Sequence, residues 1–213
     1  PPIRSSAASD VYKRQGDMFW LDATTLAVGR SYRTNDVAID QLRQILEPDV
    51  TVAAFDVPHG LGPDFCLHLM SVVSPVREDL AVVYEPLAPV RLLHELHRRG
   101  VEVLPLPEED NLTLGCNVLA IRPGVAVIAS DNDATVAMLS DRRVGVHVYE
   151  ASEISKGEGG PTCLTRPLLR GSALEGRRVN HEPIADVAVH DPLPGLVDLG
   201  SLDHFDVGAV AVL

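Results

Sequence analysis

The sequence predicts a mixed α/β fold built from repeated strand–strand–helix–strand units. Three observations carry this. A short hairpin, a one-faced helical run and a closing apolar strand occur three times, with helices opening near residues 35, 89 and 132, at intervals of roughly fifty residues. Aromatic residues make up only 4 % of the 213 positions, so the core must come from Leu, Val, Ile and Ala. A unit this small cannot bury its own helix face. The units must therefore lean on one another, in a ring or in a row.

Residues 1–15 have no apolar period and a basic end. They resemble translated adapter sequence and are read as a non-native leader. The first unit then places a hairpin at Met18–Leu21 and Leu26–Val28 around Asp22-Ala23-Thr24-Thr25. Asn35 caps a helix with Ala38, Ile39, Leu42, Ile45 and Leu46 on one face, and Val50–Val57 follows as a strand. The second unit has strands at Cys66–Val73 and Leu80–Tyr84 around Arg77-Glu78-Asp79. Its helix runs from Pro89 to Arg99, with Gly100 placed to end it, and Val101–Leu104 closes the unit. The third has Cys116–Ile121, a Pro123-Gly124 turn, Val125–Ala129, a helix over Asn132–Arg142 and a strand at Val144–Tyr149. A fourth unit would open at Cys163. Residues 171–213 read as a tail in which only Val207–Leu213 looks like a strand.

The stretch from Gly157 to Arg170 organises the chemistry. Glycines let the backbone approach a ligand closely, and Pro161 and Pro167 stiffen the turn around Cys163. A free cysteine is most often a small buried hydrophobe, so its company decides. His68 stands in the apolar run Cys66-Leu67-His68-Leu69-Met70, where an imidazole is unexpected unless hydrogen-bonded. Arg33 precedes a helix, where a solvated charge is the ordinary reading. Asp17 after Gly16 fits a turn former.

The net charge of −12 argues against a nucleic-acid partner. Cys66, Cys116 and Cys163 are odd in number and widely spaced, which fits a reducing compartment and a cytoplasmic location. No apolar run approaches the ~20 residues of a membrane span. A homo-oligomer is left open.

Taken in order, Gly16-Asp17, Ser31-Tyr32-Arg33-Thr34-Asn35, His68-Leu69-Met70-Ser71, Gly115-Cys116-Asn117-Val118-Leu119-Ala120 and Gly159-Gly160-Pro161-Thr162-Cys163-Leu164-Thr165 resemble the guanidino-modifying superfamily. Its members include dimethylarginine dimethylaminohydrolases, arginine deiminases, arginine dihydrolases and amidinotransferases. The resemblance covers residues 16–170, read as a partial catalytic domain. It implies the pentein fold, a fivefold ring of ββαβ blades. It implies Cys163 as nucleophile, His68 as general acid/base, Arg33 as a clamp on the substrate's α-carboxylate, and Asp17 and Asn117 as further substrate-binding positions. The implied reaction is hydrolysis of a guanidino C–N bond of arginine or methylated arginine through a cysteine thiouronium, without cofactor or metal.

Three departures accompany the resemblance. The family's glutamate three residues before the Gly-Asp aspartate is replaced by Arg14, an upstream acidic partner is missing, and Met70 stands where deiminases often carry Asp. The chain is therefore expected to be an N-terminally truncated fragment that is inactive by itself. The alternatives are an amidinotransferase using the same cysteine, a non-catalytic pentein binding module, and a manganese ureohydrolase, for which only Asp203-His204-Phe205-Asp206 comes near a ligand set.

Overall fold

A computed structural model describes residues 15–60, 62–64, 67–153, 159–167 and 210–212. The three predicted units are present. In the first, β1 (Met18–Asp22) and β2 (Thr25–Arg30) form a hairpin, followed by α1 (Asp36–Leu46) and β3 (Thr51–Asp56). A four-residue helix, α2 (Leu69–Val72), leads into the second unit: β4 (Val73–Arg77), β5 (Leu80–Val83), α3 (Val90–Arg98) and β6 (Glu102–Pro105). The third contains β7 (Leu119–Arg122), β8 (Val125–Ala129), α4 (Asp133–Asp141) and β9 (Gly145–Tyr149). In every unit the second strand is central, antiparallel to the first and parallel to the third. Each hairpin also breaks register at the same place, between Trp20 and Asp22, Pro75 and Arg77, and Ala120 and Arg122. The repeat therefore extends to the position of a strand irregularity.

Local chemistry explains the boundaries. The Asp22 carboxylate accepts from the Thr24 amide at 2.7 Å and from the Thr25 hydroxyl at 3.1 Å, closing the first turn. Asn35 Oδ1 accepts from the Ala38 amide at 3.0 Å and caps α1. Gly100 and Gly124 take positive φ, where α3 ends and where the third hairpin turns.

Two expectations need correction. Cys66–Val73 is not a strand: Cys66 lies outside the described residues, Leu69–Val72 is helical, and the strand begins at Val73. His68 therefore sits at the N-cap of α2, where its amide donates to Ser71 Oγ at 3.0 Å. That local side-chain bond competes with strand pairing, which an apolar run alone does not reveal. Ile45, assigned to the buried face of α1, is 75 % exposed, while Leu42 and Leu46 do pack.

The core is a series of layers between units. Leu26 and Val28 of β2 face α1 with Ile39 and Val52. Ala27, between them, points to the opposite side and joins Phe19 and Phe55 against Leu69, Leu92 and Leu96 of the second unit. Ala81 and Val83 share that layer, whereas Leu80 and Val82 turn the other way, onto Ile128, Leu139 and Val144 of the third unit. Period-two alternation thus makes each central strand serve two layers. Burying one such Leu or Ile contributes about 1.5–3 kcal/mol.

The strand after Cys163, β10 (Thr165–Pro167), pairs antiparallel with β11 (Val210–Val212), in agreement with a strand near the chain's end. The expected leader at 1–14, the Asp203–Asp206 cluster and most of the tail lie outside the described residues. Among the described residues no helix is long and apolar enough to cross a membrane.

Candidate active site

The tight turn Gln15–Asp17 touches the segments of Arg33, His68 and Cys163. Gln15 Nε2 donates to the carbonyl of Thr165 at 3.1 Å, two residues beyond Cys163. Gly16 backs onto the His68 ring: a β-carbon there would stand 2.8 Å from its Cγ. Asp17 is 0 % exposed. Its Oδ2 accepts from Ser31 Oγ and from Thr34 Oγ1, each at 2.7 Å, and its Oδ1 accepts from the Leu69 amide at 2.9 Å. Asp17 thus ties the Arg33 loop to the residue that follows His68.

Asp17, expected as a substrate-binding position, is enclosed by protein donors. A carboxylate enclosed by three donors acts as a strut, because most of its lone-pair sites are occupied and solvent does not reach it. The strut is consequential. Ser31 and Thr34 pair across a one-bridge loop, the Arg33 amide donates to Ser31 Oγ at 3.0 Å, and Arg33 stands half-buried at the tip.

Cys163 is exposed, and its amide donates to the Gly160 carbonyl at 3.0 Å. Asn117, only 7 % exposed, holds the loop from beneath. Its Nδ2 donates to Cys163 Sγ at 3.1 Å, and its Oδ1 accepts from the Thr162 amide at 2.9 Å and the Thr162 hydroxyl at 2.6 Å. Gly160 is required here: a β-carbon would come within 2.8 Å of Asn117 Cβ. Both polar atoms of the Asn117 amide are therefore engaged within the protein.

Cys116 contrasts with Cys163. It is buried, its thiol donates to the Val82 carbonyl at 3.8 Å, and burial pushes it up to about 12. Such a thiol stays protonated and inert. Tyr149, at the end of β9, escaped sequence reasoning. Burial first, and then the charge of the neighbouring Cys163, push its phenol upward. The only sequence signal was its place at the end of a predicted strand.

The arrangement puts an exposed thiol, an imidazole and a guanidinium on loops fastened to one turn. The arginine deiminase family model matches residues 89–170. An arginine deiminase of Clostridium perfringens is 30 % identical over 193 residues, covering 73 % of this chain and 46 % of that protein. The inosamine-phosphate amidinotransferase StrB1 of Streptomyces griseus superposes with a TM-score of 0.64 at 20 % identity, over 75 % of this chain and 47 % of that one. DDAH from Pseudomonas aeruginosa, solved with citrulline, gives 0.56 at 18 % identity, over 70 % and 52 %. The chain is similar to members of the guanidino-modifying superfamily and has their pentein-type fold. It spans about half the length of the curated relatives that it matches.

Proposed function

We propose that this pentein protein cleaves a C–N bond in the guanidino group of arginine or an Nω-methylated arginine through a covalent adduct on Cys163. One observation carries the reading: the turn Gln15–Asp17 fastens the loops of Cys163, His68 and Arg33 together. A guanidinium carbon is a poor electrophile, so the reaction needs a held substrate and an ionised sulfur. Of the two described cysteines Cys163 is the exposed one, and Arg33 offers a permanent forked charge to the substrate carboxylate.

In the reaction, the Cys163 thiolate adds to the guanidinium carbon and forms a tetrahedral species. His68 gives a proton to the departing amine, the C–N bond breaks, and a thiouronium remains on the sulfur. Water, losing a proton to His68, adds to that carbon. The C–S bond then breaks, regenerating the thiolate and releasing a urea such as citrulline. An amine in place of the water would make the same adduct an amidino donor.

The test is inactivation by a haloacetamidine, with peptide mapping and product analysis on arginine and dimethylarginine side by side. The expected result is labelling confined to Cys163, faster than by the uncharged haloacetamide and slowed by the substrate. Equal rates with the two reagents would overturn the reading, because a guanidinium-binding site must favour the cation.

A further inference from the structure

We infer that Asn117 is the positioning residue of the reactive sulfur: its amide N–H stabilises the Cys163 thiolate, while its carbonyl fixes the loop that presents it. The inference rests on the reading of Cys163 as nucleophile and assigns Asn117 a role other than contact with substrate.

Three observations converge. Nδ2 lies 3.1 Å from Sγ, close enough for a direct N–H to sulfur bond. The orientation of the amide is fixed by its other end, since Oδ1 takes two donors from Thr162 at 2.9 and 2.6 Å, which only a carbonyl oxygen can accept. The NH2 group must then face the sulfur. Finally, Asn117 is almost fully buried and packs directly on Gly160, where a β-carbon would stand 2.8 Å from its Cβ.

A fixed donor beside an anion is worth more than one in water, because it need not reorganise when charge develops. The same atom favours the thiolate before attack and again when the C–S bond breaks. It also distinguishes the cysteines: Cys116 donates to the Val82 carbonyl at 3.8 Å, and its full burial outweighs the Tyr84 backbone donor and keeps it a thiol.

Asn117→Asp separates this role from simple loop support. The carboxylate keeps an oxygen for Thr162 but sets a second oxygen against the sulfur, removing the donor and adding a like charge. The experiment follows alkylation of Cys163 by iodoacetamide at fixed neutral pH, with peptide mapping, together with the ultraviolet thiolate absorbance and thermal melting. Asn117→Asp should slow alkylation by about tenfold or more and weaken the thiolate band. Thr162→Val, which leaves Nδ2 on the sulfur, should slow it by less than about threefold.

Native-rate alkylation in Asn117→Asp overturns the inference. So does an equal slowing in Thr162→Val, because loop placement would then be the cause. If Asn117→Asp fails to fold, Asn117→Ser provides the same readout, and a native rate there is equally fatal. None of these measurements uses a guanidino substrate. Failure of the hydrolase reading, seen as equal haloacetamidine and haloacetamide rates, is thereby distinguished from failure of the Asn117 assignment.

Discussion

Gly16 and His68 are packed so closely that a β-carbon on Gly16 would stand 2.8 Å from Cγ of the imidazole. Gly16→Ala must therefore push the ring out of place. In a form of the protein that turns over substrate, the expected result is a fall in turnover of about a hundredfold, the scale of a 1 Å misplacement, with a stability loss of about 1–3 kcal/mol. Steady-state kinetics beside urea melts would check it. Undisturbed kinetics would remove His68 from the mechanism.

Asp17 predicts a coupled loss. Asp17→Ala strands the buried Leu69 amide and takes the acceptor from the Ser31 hydroxyl. Unsatisfied donors of this kind should cost about 2–4 kcal/mol in total. Equilibrium unfolding measures this cost, and a change below about 0.5 kcal/mol would show that the strut is dispensable.

The two described cysteines should behave oppositely. Cys163→Ser should abolish turnover and alkylation, because a serine hydroxyl lacks thiolate nucleophilicity. Cys116→Ser should retain alkylation at Cys163 and alter stability alone, since its thiol is enclosed and held near a pKa of 12. Mass spectrometry of the labelled peptides separates the two, and a labelled Cys116 in folded protein would contradict its burial.

Acid should loosen the joint between the first and second units. Burial raises the Asp22 carboxyl, but the Thr24 amide and Arg99 outweigh it and bring it to about 2. Hydrogen bonding to Arg98, opposed by burial and aided by Arg99, lowers Glu95 from 4.5 to about 2. Both folded values lie below the unfolded ones, so this stabilisation is present above about pH 4.5 and fades as pH falls towards 2. Asp22 is 39 % exposed, and solvent screening keeps each pair within about 1 kcal/mol. Arg99→Ala should flatten the dependence of melting temperature on pH across that window, and an unchanged slope would refute the assignment.

Much of the fold was legible because the repeat is expressed in hydrophobic period. The α3 span and the β8 strand stand within a residue of their sequence reading. Boundaries set by side-chain hydrogen bonds were less visible. An apolar run around His68 gives no warning that Ser71 will accept from the His68 amide and start a helix. Within the site, the motifs singled out Asn117 and Asp17, but their orientation depends on contacts across 45 and 52 positions, to Thr162 and Leu69. Tyr149 carried no motif, and only the fold brings it beside Cys163.

The buried polar contacts between successive units differ in chemistry. The first joint uses the Asp17 carboxylate on the Leu69 amide. The second uses the Ser74 hydroxyl, which donates to the Cys116 carbonyl at 2.5 Å and accepts from the Val118 amide at 3.3 Å. The third uses the Asn117 amide on Thr162. These are lock-and-key couplings with three different keys. Similar units invite exchange between molecules, since one copy's second unit could be seated where its third belongs. Such an out-of-order pairing would set a hydroxyl where a carboxylate is needed and leave amides buried without acceptors, so the correct sequence of units is selected against its permutations.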